Sequence, residues 1–224
     1  MAIQLTSKNK LIDWIEEVGF VPFFENNIPG FSIAEQTPDR YWFNEDQEGP
    51  WQWKGPVILK SHCAYGKFFH NRTGFISKKW FPDFANYRRD GYDFDARFND
   101  GLSRYDDQIL YNLLVKNGPT LSKELKRLGN YGKEGRKGFD TTITRLQMQA
   151  YILVCNVEYN MAKDGSPYGW GVCRYATCET FYGASFPKKV YQRTPKQSYQ
   201  RILNHLQKAL PNFSKEEIEY FLKP

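Results

Sequence analysis

The chain has 224 residues, of which 41% are hydrophobic and 17% aromatic, with a mean hydropathy of −0.66 and a net charge of +6. A chain of this length and composition can bury a core, which excludes intrinsic disorder and predicts one large domain or two small ones. No segment approaches the about 18 uninterrupted apolar residues of a membrane span, and no apolar run follows residues 1–10 as in a secretory signal. We therefore expect a cytoplasmic protein without membrane contact.

The first predicted element is a short amphipathic helix over Lys8–Val18, which Gly19 ends. Eight prolines and glycines punctuate residues 22–56, so long helices are not expected there. We expect short strands and loops instead. Three tryptophans in this region are interpreted as buried anchors, with exposed contact residues as the alternative: Trp42, Trp51 and Trp53.

Four aspartates lie close together in residues 87–100, which raises the alternative of a metal or acid–base site: Asp90, Asp93, Asp95 and Asp100. Between them, apolar side chains recur at every second position: Tyr92, Phe94, Ala96 and Phe98. A period of two is typical of a strand with one buried and one solvated face. The alternation therefore favours a half-buried strand over a catalytic or metal site.

The second half of the chain predicts three helices in a row. The first is capped by an aspartate at 106 or 107 and stops at Asn117-Gly118-Pro119. The second begins at Thr120 or Ser122 and ends at Gly129, and the third begins near residue 138. Leucine and isoleucine recur at helical spacing in the first two: Ile109, Leu110, Leu113 and Leu114, then Leu121, Leu125 and Leu128.

Two strands follow the third helix. They cover residues 151–159 and 170–176, with the hairpin dipeptide Asp164-Gly165 between them. Helices are predicted again at 199–210 and after the capping residue Ser214. Three helices and a two-stranded ribbon have the order of a winged helix, whose third helix enters the major groove beside the hairpin.

We therefore predict an α+β fold in three parts. Residues 1–100 form an aromatic-rich N-terminal α+β region, and residues 186–224 form C-terminal helices. Residues 101–185 form a winged-helix domain of three helices plus a β-hairpin wing.

The third helix carries the candidate chemistry. At 100° per residue its apolar stripe consists of Phe139, Ile143, Leu146 and Ala150. The opposite face, which we would direct towards a DNA groove, carries Thr141, Thr144, Arg145 and Met148.

Two glutamines at the end of this helix allow two geometries. If the helix continues through residue 149, Gln147 and Gln149 lie about 200° apart and cannot act on one bond. If the helix ends by Leu146, an extended backbone puts both side chains on one face. Strand-forming residues begin only at Tyr151, which favours the helical alternative.

The positive charge is concentrated around these helices. Residues 1–100 hold 12 Lys and Arg against 14 Asp and Glu, whereas residues 101–224 hold 19 against 11. A localised basic region is the footprint of a polyanion binder, and a basic surface without a partner is the alternative. Duplex DNA is the predicted partner. The predicted nucleic-acid-binding residues are Lys126, Arg127, Lys133, Arg136, Lys137, Thr141, Thr144 and Arg145.

The cysteines and histidines predict no metal or cofactor. The four cysteines form no C-x-x-C pair and are expected to be reduced. Only His62, Cys63 and His70 lie close together, and they lack the spacing of a zinc finger or ribbon.

Several segments resemble those of bacterial winged-helix proteins related to AlkZ. They are GPTLSKELKRL (118–128), FDTTITRLQMQAYILV (139–154), YGWGVCRY (168–175), WQWKGP (51–56), AYGKFF (64–69) and GFISKKWFPDF (74–84). AlkZ-type enzymes are DNA glycosylases built from winged-helix repeats, and a glutamine–apolar–glutamine motif is implicated in their hydrolysis of the bond between a damaged base and its sugar. The resemblance implies that Gln147 and Gln149 are catalytic residues. A carboxylate from Asp93 or Asp95 is the alternative base.

Three functions follow from these observations. The first is a DNA-binding winged-helix protein that takes part in DNA repair and is related to base-excising glycosylases. The second is an active DNA glycosylase that hydrolyses the N-glycosidic bond of alkylated bases. The third is a protein-interaction module without a nucleic-acid role, whose contact surface would be the tryptophan-rich first half.

Overall fold

The structure is a computed structural model that describes residues 3–42, 48–163 and 167–224. The predicted turn at Asp164-Gly165 lies outside the described residues. The fold is α+β, as predicted, with helices packed around one antiparallel sheet. None of the described helices has the length and apolar character that crossing a membrane requires.

The helices and strands are labelled in chain order. The helices are α1 (Lys8–Val18), α2 (Ile33–Gln36), α3 (Pro50–Ser61), α4 (Phe81–Arg89), α5 (Phe94–Asn99), α6 (Tyr105–Asn117), α7 (Ser122–Leu128), α8 (Phe139–Met148), α9 (Cys178–Tyr182), α10 (Phe186–Val190), α11 (Pro195–Ala209) and α12 (Lys215–Leu222). The strands are β1 (Phe20–Pro22), β2 (Ala64–Phe69), β3 (Arg72–Ile76), β4 (Thr120–Leu121), β5 (Ile152–Met161) and β6 (Pro167–Thr177).

The sheet has the order β1-β3-β2-β5-β6-β4, and each neighbouring pair is antiparallel. The β5–β6 ribbon forms its centre. On one side, Tyr65 of β2 pairs with Val154 of β5 and joins the strands of the first half to the ribbon. On the other side, Thr120 of β4 pairs with Tyr175 of β6 and ties the segment between α6 and α7 to the same ribbon.

Several predicted helices are confirmed. Helix α1 has the predicted bounds, and Gly19 ends it in the left-handed conformation at φ 84°. Helices α6, α7 and α8 follow one another in the predicted order, and α8 begins at Phe139. Near the C-terminus, Ser214 caps α12, and the Glu217 carboxylate accepts the Ser214 backbone N–H at 2.8 Å.

The expectation that residues 22–56 form no long helix is wrong at its end, where α3 begins. Pro50 occupies the first turn, which needs no N–H donor, and the Gln52 side chain accepts the Gly49 N–H at 3.0 Å. Inside α3, a Cβ on Gly55 would lie 2.9 Å from the Val157 carbonyl oxygen of β5. Glycine is therefore needed where this helix approaches the sheet.

The interpretation of the tryptophans as buried anchors is confirmed for Trp53 and in part for Trp42 and Trp51. Trp53 is 2% exposed, and Trp42 and Trp51 are half-buried against the core. The rings of Trp42 and Trp51 contact each other edge-to-face at 5.6 Å, and Phe23 packs against both.

The predicted strand over residues 87–100 is also wrong, because this segment contains the end of α4 and the short helix α5. The cause is a helix cap: the Asp93 carboxylate accepts the backbone N–H of Ala96 at 2.8 Å. Phe94 and Phe98 are four residues apart and therefore share a face of a helix as well as of a strand. The alternation alone did not distinguish the two elements.

Two hydrophobic clusters form the interior. The larger one lies between the sheet and the helices of the N- and C-terminal parts. The smaller one is formed by α5, α6, α7, α8 and the start of β5, and its buried members are Phe94, Leu110, Leu114, Leu125, Phe139, Ile143, Leu146, Tyr151 and Ile152. Helix α8 thus lies on a core that it shares with α6 and α7.

Candidate nucleic-acid interface

Helix α8 is oriented by its apolar stripe. Phe139, Ile143 and Leu146 are 6% exposed or less, whereas Thr141 on the other side is exposed. Thr144 and Met148 are half-buried. The predicted core stripe is therefore confirmed, and the helix presents a polar face to the surface.

An open depression of 590 Å³ lies along this polar face. Its lining comes from α8, from β2, from the turn between β2 and β3, and from the last residue of the chain: Asp140, Thr141, Thr144, Arg145, Met148, Lys67, Asn71 and Pro224. The Lys67 ammonium donates a hydrogen bond to the Thr144 hydroxyl at 3.0 Å, and the Asn71 N–H approaches the Met148 sulfur at 3.4 Å. Strand β2 thus contributes the Lys67 cation to the polar surface formed by α8.

Lys67 was not among the residues predicted from the sequence. It lies 77 residues before Thr144, and only the pairing of β2 with β5 brings the two together. In the sequence it is a single polar residue in an aromatic segment, so nothing local distinguishes it from a lysine on a solvated strand face.

The predicted basic residues surround the start of α8. The Lys126 ammonium lies 4.8 Å from the centre of the Phe139 ring and 3.6 Å from the Asp140 carboxylate. Arg127, Lys133 and Lys137 are exposed. Within the described residues, none of these three pairs with a carboxylate.

Lys137 also shapes the loop that it belongs to. Its ammonium donates to the Gly132 carbonyl at 2.7 Å and to the Lys133 carbonyl. The backbone N–H of Arg136 donates to the Asn130 carbonyl at 2.7 Å. These bonds close residues 130–137 into a compact loop, which carries its cations beside the first turn of α8.

Two of the predicted contact residues are engaged in ion pairs with α6. Arg136 lies 2.9 Å from Asp106, and both side chains are partly exposed. Arg145 donates from two nitrogens to Asp107, whose side chain is fully buried, at 2.5 and 2.9 Å. Arg145 therefore neutralises a buried carboxylate, which leaves less of its guanidinium for an external ligand.

The two glutamines occupy different environments. Gln147 is 2% exposed, and its amide accepts the Lys67 N–H and donates to the Ile143 carbonyl, both at 3.1 Å. Gln149 is half-buried, and its side-chain oxygen lacks a hydrogen-bond partner among the described residues. Because α8 is helical through Met148, the two side chains leave the helix about 200° apart. The helical alternative is confirmed, while the catalytic role of the pair stays a prediction.

The end of α8 is held by a buried arginine that sequence reasoning missed. Ala150 follows the helix and has a φ of 57°. Residues other than glycine adopt this left-handed conformation only at a cost in free energy. The Ala150 carbonyl accepts from two nitrogens of Arg89, at 3.1 and 2.8 Å, and from the Cys178 thiol at 3.1 Å. Burial raises the pKa of Cys178, which keeps the thiol protonated as a donor.

Arg89 is itself neutralised inside the protein. Its guanidinium lies 2.7 Å from the Glu179 carboxylate and 4.7 Å from the centre of the Tyr151 ring. Burial lowers the pKa of Arg89, but Glu179, Cys178 and Tyr191 together outweigh the burial, and the net direction is upward. A permanently charged group thus connects α4, α8 and α9 and fixes where α8 ends.

The residues considered as metal ligands serve packing. The His62 ring stacks on Phe181 at 4.3 Å, the His70 ring stacks on Tyr220 at 4.9 Å, and Cys63 is buried. Among the described residues, no three His, Cys, Asp or Glu side chains come together as ligands for one ion. The depression along α8 is lined by hydroxyl, amide and cationic groups and by one carboxylate, that of Asp140.

Comparison with known proteins identifies the family. Among the curated proteins and the solved structures, none matches this chain. A family model described as AlkZ related matches residues 5–223, beyond the segments that carried the resemblance. The chain therefore belongs to the AlkZ-related family.

Proposed function

We propose that the chain binds duplex DNA and that α6, α7, α8 and the β5–β6 ribbon act as a winged helix. The elements follow one another as α6–β4–α7–α8–β5–β6, and β4 pairs with β6 at the edge of the ribbon. In this arrangement α8 would enter the major groove, with the ribbon beside it. Membership of the AlkZ-related family supports a role in DNA repair.

The observation that carries the proposal is the surface around α8. Its first turn has no side-chain cap, so its backbone N–H groups are free to bind phosphate oxygens. The exposed cations Arg127, Lys133 and Lys137 lie on α7 and on the loop that precedes this turn. Thr141 and Thr144 follow on the open face, where hydroxyl groups reach either phosphates or base edges.

The salt dependence of DNA binding tests the proposal. A fluorescein-labelled duplex is titrated with the protein at several salt concentrations, and binding is followed by fluorescence anisotropy. Each neutralised phosphate contributes about −0.9 to the slope of log K against log salt. We expect a steep slope that the double variant Arg136→Ala/Lys137→Ala flattens. Undetectable binding, or binding that salt leaves unchanged, rejects the proposal.

Base excision is the second candidate, and the family favours it. A glutamine can orient water near the sugar but is not a strong base, so a reaction here would rely on a cationic, alkylated base as its leaving group. The test is incubation with an alkylated duplex, followed by detection of abasic sites. Excision is supported if the wild type releases the alkylated base and Gln149→Ala loses this release while it still binds DNA. Without abasic sites, binding is the whole function.

A protein-interaction module is the remaining alternative. The tryptophans that would form its contact surface are buried or half-buried, which removes the feature that suggested it. Recovery of a protein partner in a nuclease-treated pull-down, together with absent DNA binding, would favour this alternative over the one we propose.

A further inference from the structure

A second depression, of 460 Å³, lies on the other side of the turn between β2 and β3. Its walls include Phe24, Glu25, His70, Arg72 and Tyr220. Phe24 is 37% exposed and Tyr220 is 52% exposed, so part of each aromatic side chain remains open to a ligand. Exposed aromatic rings beside a cation suit a planar ligand that carries negative charge.

The aromatic walls are fixed from behind. The Phe24 ring packs against Phe23 at 5.1 Å and against Trp51 at 6.1 Å. The His70 ring stacks on Tyr220 with an interplanar angle of 23°, and its Nε2 lies 2.8 Å from the Tyr220 carbonyl oxygen. A carbonyl only accepts, so Nε2 carries the hydrogen, and in the neutral ring Nδ1 is left as an acceptor.

Arg72 supplies the positive charge. One of its nitrogens donates to the Glu25 carbonyl at 2.5 Å. The guanidinium is exposed, and its other N–H groups remain able to bind a ligand. Across the described ranges, no ion pair joins Arg72 to a carboxylate. Such a group is available for a phosphate, which the planar guanidinium binds through two parallel hydrogen bonds.

The two depressions are neighbours. His70 lines this one, and Asn71, the next residue in the chain, lines the depression along α8. Consecutive Cα atoms are about 3.8 Å apart, so only the width of the turn separates the two. The Asn71 N–H also contacts Met148 of α8 at 3.4 Å. A DNA strand that follows the polar face of α8 would therefore pass the entrance of the aromatic depression.

We propose that this depression binds a single nucleotide displaced from DNA. Its base contacts the exposed parts of the Phe24 and Tyr220 rings, and its phosphate binds Arg72. The inference rests on the DNA binding proposed above, and it adds a preference for DNA with an unpaired nucleotide. An unpaired base avoids much of the cost of leaving the stack, so such DNA would bind more tightly than a fully paired duplex.

The test compares two labelled duplexes of the same sequence, one fully paired and one with a single unpaired adenine. We expect the unpaired adenine to tighten binding at least about fivefold, the lower end of what stacking of one base contributes. Phe24→Ala and Tyr220→Ala should abolish this preference and leave the affinity for the paired duplex unchanged. Tyr220→Phe keeps the ring and should retain it, as should the control Leu59→Ala, an exposed apolar residue on α3.

The outcomes separate the two proposals. If neither duplex binds, the proposed DNA binding fails. If the paired duplex binds and the unpaired adenine adds nothing, this inference alone is overturned. The same holds if Tyr220→Ala keeps the preference while its thermal unfolding matches that of the wild type. Binding of free deoxyadenosine monophosphate without any preference for the unpaired duplex would likewise overturn the link to DNA.

Discussion

At the scale of single residues, the two glutamines are expected to differ in what their loss does. Gln147→Ala would leave the Lys67 N–H without its partner in a buried position, at a cost of about 1–3 kcal/mol in the free energy of unfolding. Gln149→Ala removes a side-chain oxygen that has no partner in the described structure, so its cost should be near zero. Urea unfolding of both variants checks this. Equal losses would contradict the assignment of Gln147 as a structural residue.

His205 is expected to make stability depend on pH. Its Nε2 lies 2.8 Å from the Val18 carbonyl oxygen, and its ring stacks on Trp80 at 4.2 Å. Burial, together with the charges of Lys79 and Lys208, lowers the pKa of His205 below its ordinary value of 6.5. Well above pH 6.5 the ring is neutral whether the chain is folded or unfolded, so His205 does not change the free energy of unfolding there.

As the pH falls below 6.5, the unfolded chain binds a proton that the folded chain still excludes. The free energy of unfolding should therefore decrease as the pH falls from about 6.5 to the lowered pKa, and it should level off below that value. His205→Gln keeps a donor for the Val18 carbonyl but cannot titrate. Urea unfolding at about pH 7.5 and about pH 5.5 should show a smaller difference for this variant. An unchanged difference would assign the pH dependence to other groups.

At the scale of elements, the end of α1 depends on the absence of a side chain at Gly19. Its φ is 84°, and a Cβ there would lie 2.5 Å from the Trp80 ring. Gly101 offers a matched control, because its φ is 74° and nothing lies within 4 Å of the position of a Cβ. Gly101→Ala should cost about 1 kcal/mol for the backbone alone, and Gly19→Ala about 1–3 kcal/mol more for the overlap. Thermal unfolding of the two variants measures the difference, and similar losses would rule out the contact with Trp80.

The elements also show which parts of the fold the sequence could predict. Helix α8 and its buried stripe were predicted because their signal is a local period that the smaller core satisfies. Residues 87–100 were misassigned because Phe94 and Phe98 fit both the helical and the strand period. The Asp93 side chain caps the helix that forms there. Lys67 and Arg89 were missed because their roles depend on partners 77 and 61 residues away. Pairings of that separation leave no local pattern.

At the scale of the whole molecule, charge is separated along the chain. The first 100 residues have a small excess of acidic groups, and the remainder has 19 basic against 11 acidic residues. Some of these charges are used internally, as in the pairs of Arg89 with Glu179 and Arg145 with Asp107. Such a pair leaves the net charge unchanged but removes a cation from the set that a polyanion can contact. The number of available cations is therefore smaller than the number of basic residues, and it depends on their position.

Position and net charge are separable by two triple variants that each remove three positive charges. The first is Arg127→Gln/Lys133→Gln/Lys137→Gln, beside α8. The second is Lys188→Gln/Lys189→Gln/Lys208→Gln, on α10 and α11, which pack against α4. If the cations beside α8 contact phosphates, the first variant should flatten the salt slope of DNA binding by up to about 2.7, or about 0.9 for each contact, and the second should leave it unchanged. Equal flattening by both would mean that the protein attracts DNA through its overall charge and not through the surface of α8.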